Sequence, residues 1–396
     1  MDPDNVVTSV TAPRWIGLPS KEYYKDQKIL SKYAKTIGEV LEALLQEAEH
    51  NSASKAPPDA LGYARFATRR EELVHAIVNF ETKIAEASPD AEDAQDVTKY
   101  YNPRTLAETE GLLPQLSFSY IFSNLAPSDY KPDRLIINTP AYLESLSNTL
   151  LETSKETLQA YLVWKAVQTH ATRIEHDAVK PLIRFDNEIQ GKDPDASEER
   201  WRKCVKEVDH DLGWILSRFF VGKAFSKQAR DFGDRIVYDI KHQFAQKLNA
   251  TKWMTEDVRE LAIEKVKNIV QKIGYPTKSP NILDPAALRE FYKAVNISKS
   301  EFFENALSAA TFYTKHEFAA LGKPTDRDEW GMTVPTVNAY YNPAGNEIVF
   351  PAGIMQSPVF YEPSVPQYLS YGAFGAVSGH ELSHGEASTV CIVPSH

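Results

Sequence analysis

Apolar residues recur at three- and four-residue steps through most of the first three hundred positions, the period of an amphipathic helix. From Tyr24 to His50 the stripe is Ile29, Tyr33, Ile37, Leu41, Leu44 and Leu45, and from Glu72 to Ala87 it is Leu73, Ile77, Phe80 and Ile84. A Ser/Pro/Asp-rich break follows at Ser88 to Asp96. The spacing predicts one long or two consecutive helices over Tyr142 to His176, another over Trp201 to Phe225, and another over Ser300 to Leu321. Thr255 fits an N-cap, with Glu256 and Asp257 suited to the first helical turn. That helix is expected to carry Val258, Leu261, Ile269 and Val270 and to stop near Gly274-Tyr275-Pro276.

Near Trp330 the pattern changes. Thr336 to Tyr341 is β-branched and aromatic, Glu347 to Phe350 is strand-like again, and Asn342-Pro343-Ala344-Gly345-Asn346 between them is a dense turn signal. These features predict a β-hairpin with a five-residue connection. An aromatic and proline-rich passage leads to a final helix from about Tyr371 to Gly385. There are no internal repeats. The expected fold is mainly α: a large helical region over 1–330, then the beginning of an α+β unit over 331–385, then a tail over 386–396.

Composition narrows the function classes. The 396 residues are 42% hydrophobic and 25% charged, as in ordinary globular proteins. With 44 basic against 54 acidic residues the net charge is −10, which disfavours nucleic acid or anionic membranes as partners. Met1 to Ser20 carries Asp2, Pro3 and Asp4 where a signal peptide needs basic and then apolar residues. No stretch approaches the ~18 apolar residues of a membrane span. Cys204 and Cys391 are the only cysteines, too few for a disulfide framework. Nothing in the pattern sets an oligomeric state.

The candidate chemistry lies in the last predicted helix. His380-Glu381-Leu382-Ser383-His384 matches H-E-x-x-H. Residues four apart share a helix face, so two imidazoles can reach one zinc ion, with the Glu381 carboxylate beside them to take a proton from the attacking water. The plainer reading is two histidines on an amphipathic helix, one satisfied in a core and one solvated.

The neighbourhood extends the motif. Asn338-Ala339-Tyr340-Tyr341, Ile348-Val349-Phe350-Pro351-Ala352-Gly353-Ile354 and Tyr371-Gly372 precede it in that order. Upstream stand Gly17-Leu18-Pro19-Ser20-Lys21-Glu22-Tyr23-Tyr24, Trp201-Arg202-Lys203-Cys204-Val205, Trp253-Met254 and Ile273-Gly274-Tyr275-Pro276. In these motifs the chain resembles the neprilysin and endothelin-converting-enzyme family of zinc metallopeptidases, from about residue 15 to Gly385. The resemblance implies a thermolysin-like α+β zinc-peptidase domain, a peptide substrate, and an extracellular or membrane-anchored setting. It makes His380 and His384 zinc ligands and Glu381 the general base. It places Asn338 and the backbone of Ala339 on a substrate-binding edge strand. It also places Ile354, Val359 and Val377 around the pocket for the residue after the scissile bond. Relatives often carry phenylalanine at the position of Val359. Plain core packing is the competing reading of those three apolar residues.

After Gly385 the resemblance stops. Glu386 to His396 matches nothing in the family, so the third zinc ligand and the groups that stabilise the transition state are expected to be missing. Glu386 falls on the opposite side of the helix from His384, and Val390 stands where a metzincin would carry a third histidine. A two-histidine site implies weak zinc binding and near-background hydrolysis. Gly385-Glu386 is what GGT-GAG encodes, and GTGAG opens many introns, which points to an incomplete gene model. Without the family's later helices, Phe374, Val377 and Leu382 are expected to be exposed. The partner that the resemblance assigns to Cys204 lies past the break, which leaves a free thiol. The alternative functions are a non-catalytic helical binding or regulatory remnant, and a zincin completed by ligands of another chain. Asn249-Ala250-Thr251 and Asn296-Ile297-Ser298 are glycosylation sequons.

Overall fold

The helical stripes read from the sequence become the cores of two units, residues 7–198 and residues 199–396 with 1–6. The structure is a computed structural model and describes residues 4–51, 60–90, 93 and 97–387. The change of sequence character near Trp330 falls inside the second unit, while the division between units falls at Glu198.

In the first unit the helices Gln27–Asn51 and Ala60–Ala87 pack along the predicted stripes. Tyr33, Ile37 and Val40 are buried, as are Val74, Ile77, Phe80 and Ile84. The region expected to hold one or two helices holds two, Pro140–Glu152 and Lys155–His170. The Ser154 hydroxyl accepts from the Thr157 amide and so starts the second of these anew. Trp164 from that helix is fully buried, edge-on to Tyr33, and its indole N–H donates to the Tyr33 hydroxyl at 2.9 Å. A small sheet completes the unit: β1 (Ser9–Val10) runs parallel to β3 (Leu135–Ile137), and β2 (Pro103–Arg104) runs antiparallel to it.

A carboxylate sits at the centre of this unit. Glu81 is fully buried and accepts from the Tyr24 hydroxyl at 3.0 Å and the Tyr33 hydroxyl at 3.3 Å. The Tyr24 oxygen in turn accepts from the amides of Gly17 and Leu18. A β-carbon on Gly17 would stand 2.2 Å from the Glu81 carboxylate and 2.3 Å from the Tyr33 hydroxyl, so only glycine lets the chain pass so close.

In the second unit β4 (Val270–Gly274) pairs parallel with β6 (Glu347–Pro351), and β5 (Tyr340–Asn342) pairs antiparallel with β6, giving the order β4-β6-β5. The hairpin expected from the turn signal is present, with Tyr340 opposite Val349 and Asn342 opposite Glu347. Its first strand begins at Tyr340 rather than Thr336. The expected helix after Thr255 is also shorter than the apolar stripe suggested. It spans Glu256–Asn268, then Ile269 turns extended and the run from Val270 to Gly274 joins the sheet. Valine and isoleucine gain more there than in a helix, because β6 offers them a buried strand as partner. Glu347 on β6 is buried and its carboxylate meets the Lys272 ammonium at 2.7 Å, so the pair shares its desolvation.

The helix Arg200–Ala224 is bent at Leu212, whose backbone leaves the helical region. The amide of Trp214, beside that break, donates to the Tyr292 hydroxyl at 3.1 Å. Helices Lys227–Asn249, Pro285–Phe291, Phe302–Ala319 and Gln367–Ala387 complete the unit. Among the described residues no helix is long and apolar enough to cross a membrane.

Candidate metal centre

The last helix is fixed at its start by serine. The Ser370 hydroxyl, almost fully buried, accepts from the Tyr361 amide and donates to the Tyr361 carbonyl. One turn on, Phe374 packs edge-on against Phe350 of β6 at 5.2 Å and against Phe360 at 5.5 Å. A β-carbon on Gly375 would lie 3.3 Å from Ile240, so a small residue lets this helix pack closely on Lys227–Asn249. Phe374, Ser378 and Leu382, four apart, thus form the inward face, and all three are buried. This corrects the expectation that Phe374 and Leu382 lie exposed. Their partners are the sheet and Phe360, which this chain supplies. Val377 is partly buried against the same core.

That inward face fixes the outward one. His380 and His384 are both exposed, their rings are 4.5 Å apart at 88°, and their Nε2 atoms lie 3.0 Å from each other. Zinc binds imidazole nitrogen at ~2.0–2.1 Å. Two nitrogens that close can both lie within bonding reach of one ion, so the pair fits the metal the motif calls for. Among the described residues no group of three or more His, Cys, Asp or Glu is placed to hold a metal. The described residues bring two imidazole nitrogens together there.

Glu381 lies between the two histidines in sequence and on the border between the faces, with 5% of its surface exposed. Burial raises its carboxyl above the ordinary range, opposed by the two imidazoles and by a hydrogen bond from the backbone N–H of Tyr341. Tyr341 is the middle residue of β5, whose outer edge is left open by the order of the sheet. The helix and the edge strand are in contact: a β-carbon on Gly385 would lie 3.3 Å from the Tyr341 ring. Lys265 adds a second tie: its ammonium donates to the Gly385 carbonyl at the end of the helix and stands 5.5 Å from the Tyr341 ring.

The remaining sequence candidates are placed as follows. Asn338 is exposed and Ala339 buried, two and one residues ahead of the paired part of β5, and the Asn338 side-chain oxygen accepts from the Ala339 amide at 2.9 Å. Ile354, Val359 and Val377 are partly buried and pack on one core cluster with Phe350, Phe360 and Phe374. Cys204 is an exposed free thiol. Cys391 and the rest of the tail from 388 to 396 lie outside the described residues. Two contributors escape a reading by residue type. The Tyr341 amide carries no side-chain signature, and Lys265 is one of two lysines in the last turn of its helix.

Comparison with known proteins bears on this geometry. The model for the N-terminal part of Peptidase family M13 matches residues 1–276, and a second model of Peptidase family M13 matches 338–389. Neprilysin-3 of Drosophila melanogaster is 32% identical over 381 residues, covering 93% of this chain and 46% of that protein. Endothelin-converting enzyme 1 of Bos taurus is 31% identical over 377 residues, covering 93% and 47%. The chain spans about half the length of these relatives. Among solved structures, the zinc metalloprotease Zmp1 of Mycobacterium tuberculosis in complex with an inhibitor superposes with a TM-score of 0.80 at 27% identity, over 97% of this chain and 54% of that one. PepO from Lactobacillus rhamnosis shares the fold, with a TM-score of 0.77 at 23% identity. By its sequence, over both matched regions, the chain belongs to Peptidase family M13.

Proposed function

We propose that this chain carries the first half of a zinc metalloendopeptidase centre, with His380 and His384 as ligands and Glu381 as general base. The observation that carries the reading is the Nε2 pair at 3.0 Å beside a buried carboxylate tied to an open strand edge. When bound, zinc supplies a Lewis acid. Glu381 takes the proton from the attacking water, and burial suits its carboxyl to this by making it a stronger base than a solvated one. A peptide laid antiparallel along β5 finds main-chain hydrogen-bond partners without demands on its sequence. Asn338 and the Ala339 backbone extend that edge. Ile354, Val359 and Val377 wall the pocket for the residue after the scissile bond.

Catalytic zinc normally keeps three protein ligands. With the two that the described residues bring together, the centre holds zinc weakly and hydrolyses peptides near background. Metal analysis and peptide hydrolysis, run on this chain beside one extended to the full length of its relatives, test the reading. Zinc and activity are expected in the extended chain and are lost in H380A and H384A versions of it. An extended chain that binds no zinc and cleaves nothing leaves the non-catalytic binding protein as the better account.

A further inference from the structure

We propose that the outer edge of β4 is a second peptide-binding site, one that takes a single extended segment of another protein bearing a basic side chain. β4 lies on the far side of the sheet from β5, and among the described residues no strand pairs with it there. Its hydrogen-bond pattern fixes which groups face out. The Val270 amide donates to the Asn346 carbonyl and the Gly274 carbonyl accepts from the Ala352 amide, so Val270, Lys272 and Gly274 direct their main-chain groups to β6. Gln271 and Ile273 turn theirs the other way. The Tyr275 amide takes the Ile273 carbonyl at 3.0 Å, which leaves the Gln271 amide and carbonyl and the Ile273 amide on the outer side.

A groove of about 330 Å³ runs along these groups. β4 and the turn after it, as far as Lys278, form the floor, the start of helix Lys227–Asn249 is one wall, and Asp328 with Trp330 is the other. The lining comes from both faces of the strand. The Gln271 side chain donates to the Asp234 carboxylate at 2.6 Å on the helix side, and the Lys272 ammonium donates to the Glu329 carbonyl at 2.9 Å on the other. A space that meets both faces lies on the edge between them. With a wall on each side it admits one extended chain and excludes the edge of another sheet. A peptide added there gains main-chain hydrogen bonds, and the walls select its side chains.

Charge names the side chain. Of the charged residues in the groove, Lys272 pairs with buried Glu347 at 2.7 Å and Lys278 with Asp328 at 3.1 Å. Asp231 and Asp234, three apart on the helical wall, are both exposed, and among the described residues neither forms an ion pair. The Lys241 ammonium feels the Asp234 charge but donates to the Ile269 carbonyl. Against these two carboxylates stands the Arg230 guanidinium alone, 4.6 Å from the centre of the Tyr275 ring. The groove thus keeps one negative charge in excess, which a single lysine or arginine of the incoming segment answers.

The test is fluorescence anisotropy of the full chain with a labelled strand-forming peptide, valine and threonine alternating around a central lysine. Saturable binding is expected. Exchanging the peptide's lysine for glutamate, or D231N with D234N in the protein, should weaken it about tenfold. Asparagine at 234 still accepts from Gln271, so the wall stands. Methylating the peptide nitrogens that face β4 should weaken binding about tenfold as well. Gln271→Pro removes an outward donor at an amide that β6 does not use, and should act in the same direction. The peptide exchanges need no variant, so a misfolded mutant leaves the test intact. No saturable binding, equal affinity for the lysine and glutamate peptides, or indifference to the methylated nitrogens overturns the proposal. So does an affinity unchanged in both protein variants, as for a peptide seated on β5. None of these outcomes bears on the zinc reading, because β6 separates the two edges.

Discussion

Glu81 and Glu381 are both buried carboxylates whose pKa is raised by burial, yet the chain surrounds them in opposite ways. Glu81 is closed in. Two tyrosine hydroxyls donate to it, and the Lys165 charge is the strongest influence opposing its desolvation. Glu381 receives one backbone N–H and is flanked by two imidazoles that are themselves exposed. A carboxylate with its hydrogen bonds made inside a sealed core holds structure together. One at the border of a helix face, beside two exposed imidazoles and an open strand, can exchange a proton with something that arrives from solvent. The direction of a pKa shift does not separate the two roles; access does.

The largest effect belongs to Glu381. In a chain extended to include a third ligand, Glu381→Gln keeps the size and polarity of the side chain beside the Tyr341 amide but cannot take a proton. Hydrolysis of a reporter peptide is expected to fall by ~10³-fold with zinc content unchanged. Zinc and activity lost together in this variant, in a chain that also unfolds more readily, would place Glu381 with Glu81 as a structural carboxylate.

Glu81→Ala leaves the Tyr24 and Tyr33 hydroxyls without their buried acceptor, removes the charge that Lys165 faces, and opens a void. Unfolding of residues 7–198 should cost about 3 kcal/mol less than in the unaltered chain, read by denaturant titration with hydrogen exchange assigning the loss to this unit. Zinc affinity should not change. Gly17→Ala attacks the same centre from outside. Its β-carbon would overlap the carboxylate and the Tyr33 hydroxyl, both held by their own hydrogen bonds, so about 2 kcal/mol should be lost. A neutral Gly17→Ala would show that the 16–18 segment moves freely off Glu81.

What the sequence made legible follows from periodicity. The Tyr33 and Ile77 stripes and the hairpin around the Pro343 turn are present because each depends on local spacing alone. Likewise His380 and His384 meet because a helix brings residues four apart together. The reading failed where a distant partner decides. Ile269 and Val270 fit a helical stripe until β6 offers them a strand. Phe374 and Leu382 read as exposed without later helices because the core that covers them, with Phe350 and Phe360 against Phe374, is brought in by a proline-rich passage whose path spacing does not predict. Glu81 and Gly17, sixty-odd positions apart, gave no sign of each other. The Tyr341 amide that holds Glu381 is backbone, invisible to any motif.

The mildest test concerns a third acid that sharpens the contrast. Asp186, on helix Lys180–Ile189 in the same unit as Glu81, is raised by burial from its usual 3.8 to about 6. An acid whose pKa rises on folding binds its proton more tightly in the folded chain. Between the two values the folded chain holds more protons than the unfolded one, so stability falls as pH climbs through this window and is lowest above it. Asp186→Asn removes that slope. Because the side chain is partly exposed, solvent screening reduces the effect, and a gain of about 1 kcal/mol at neutral pH is expected, vanishing near pH 4. Thermal unfolding of both chains across pH 4 to 8 measures it. An unchanged slope in the variant would assign the proton uptake to Glu81, and the sealed carboxylate would then be the pH-sensitive element of this unit.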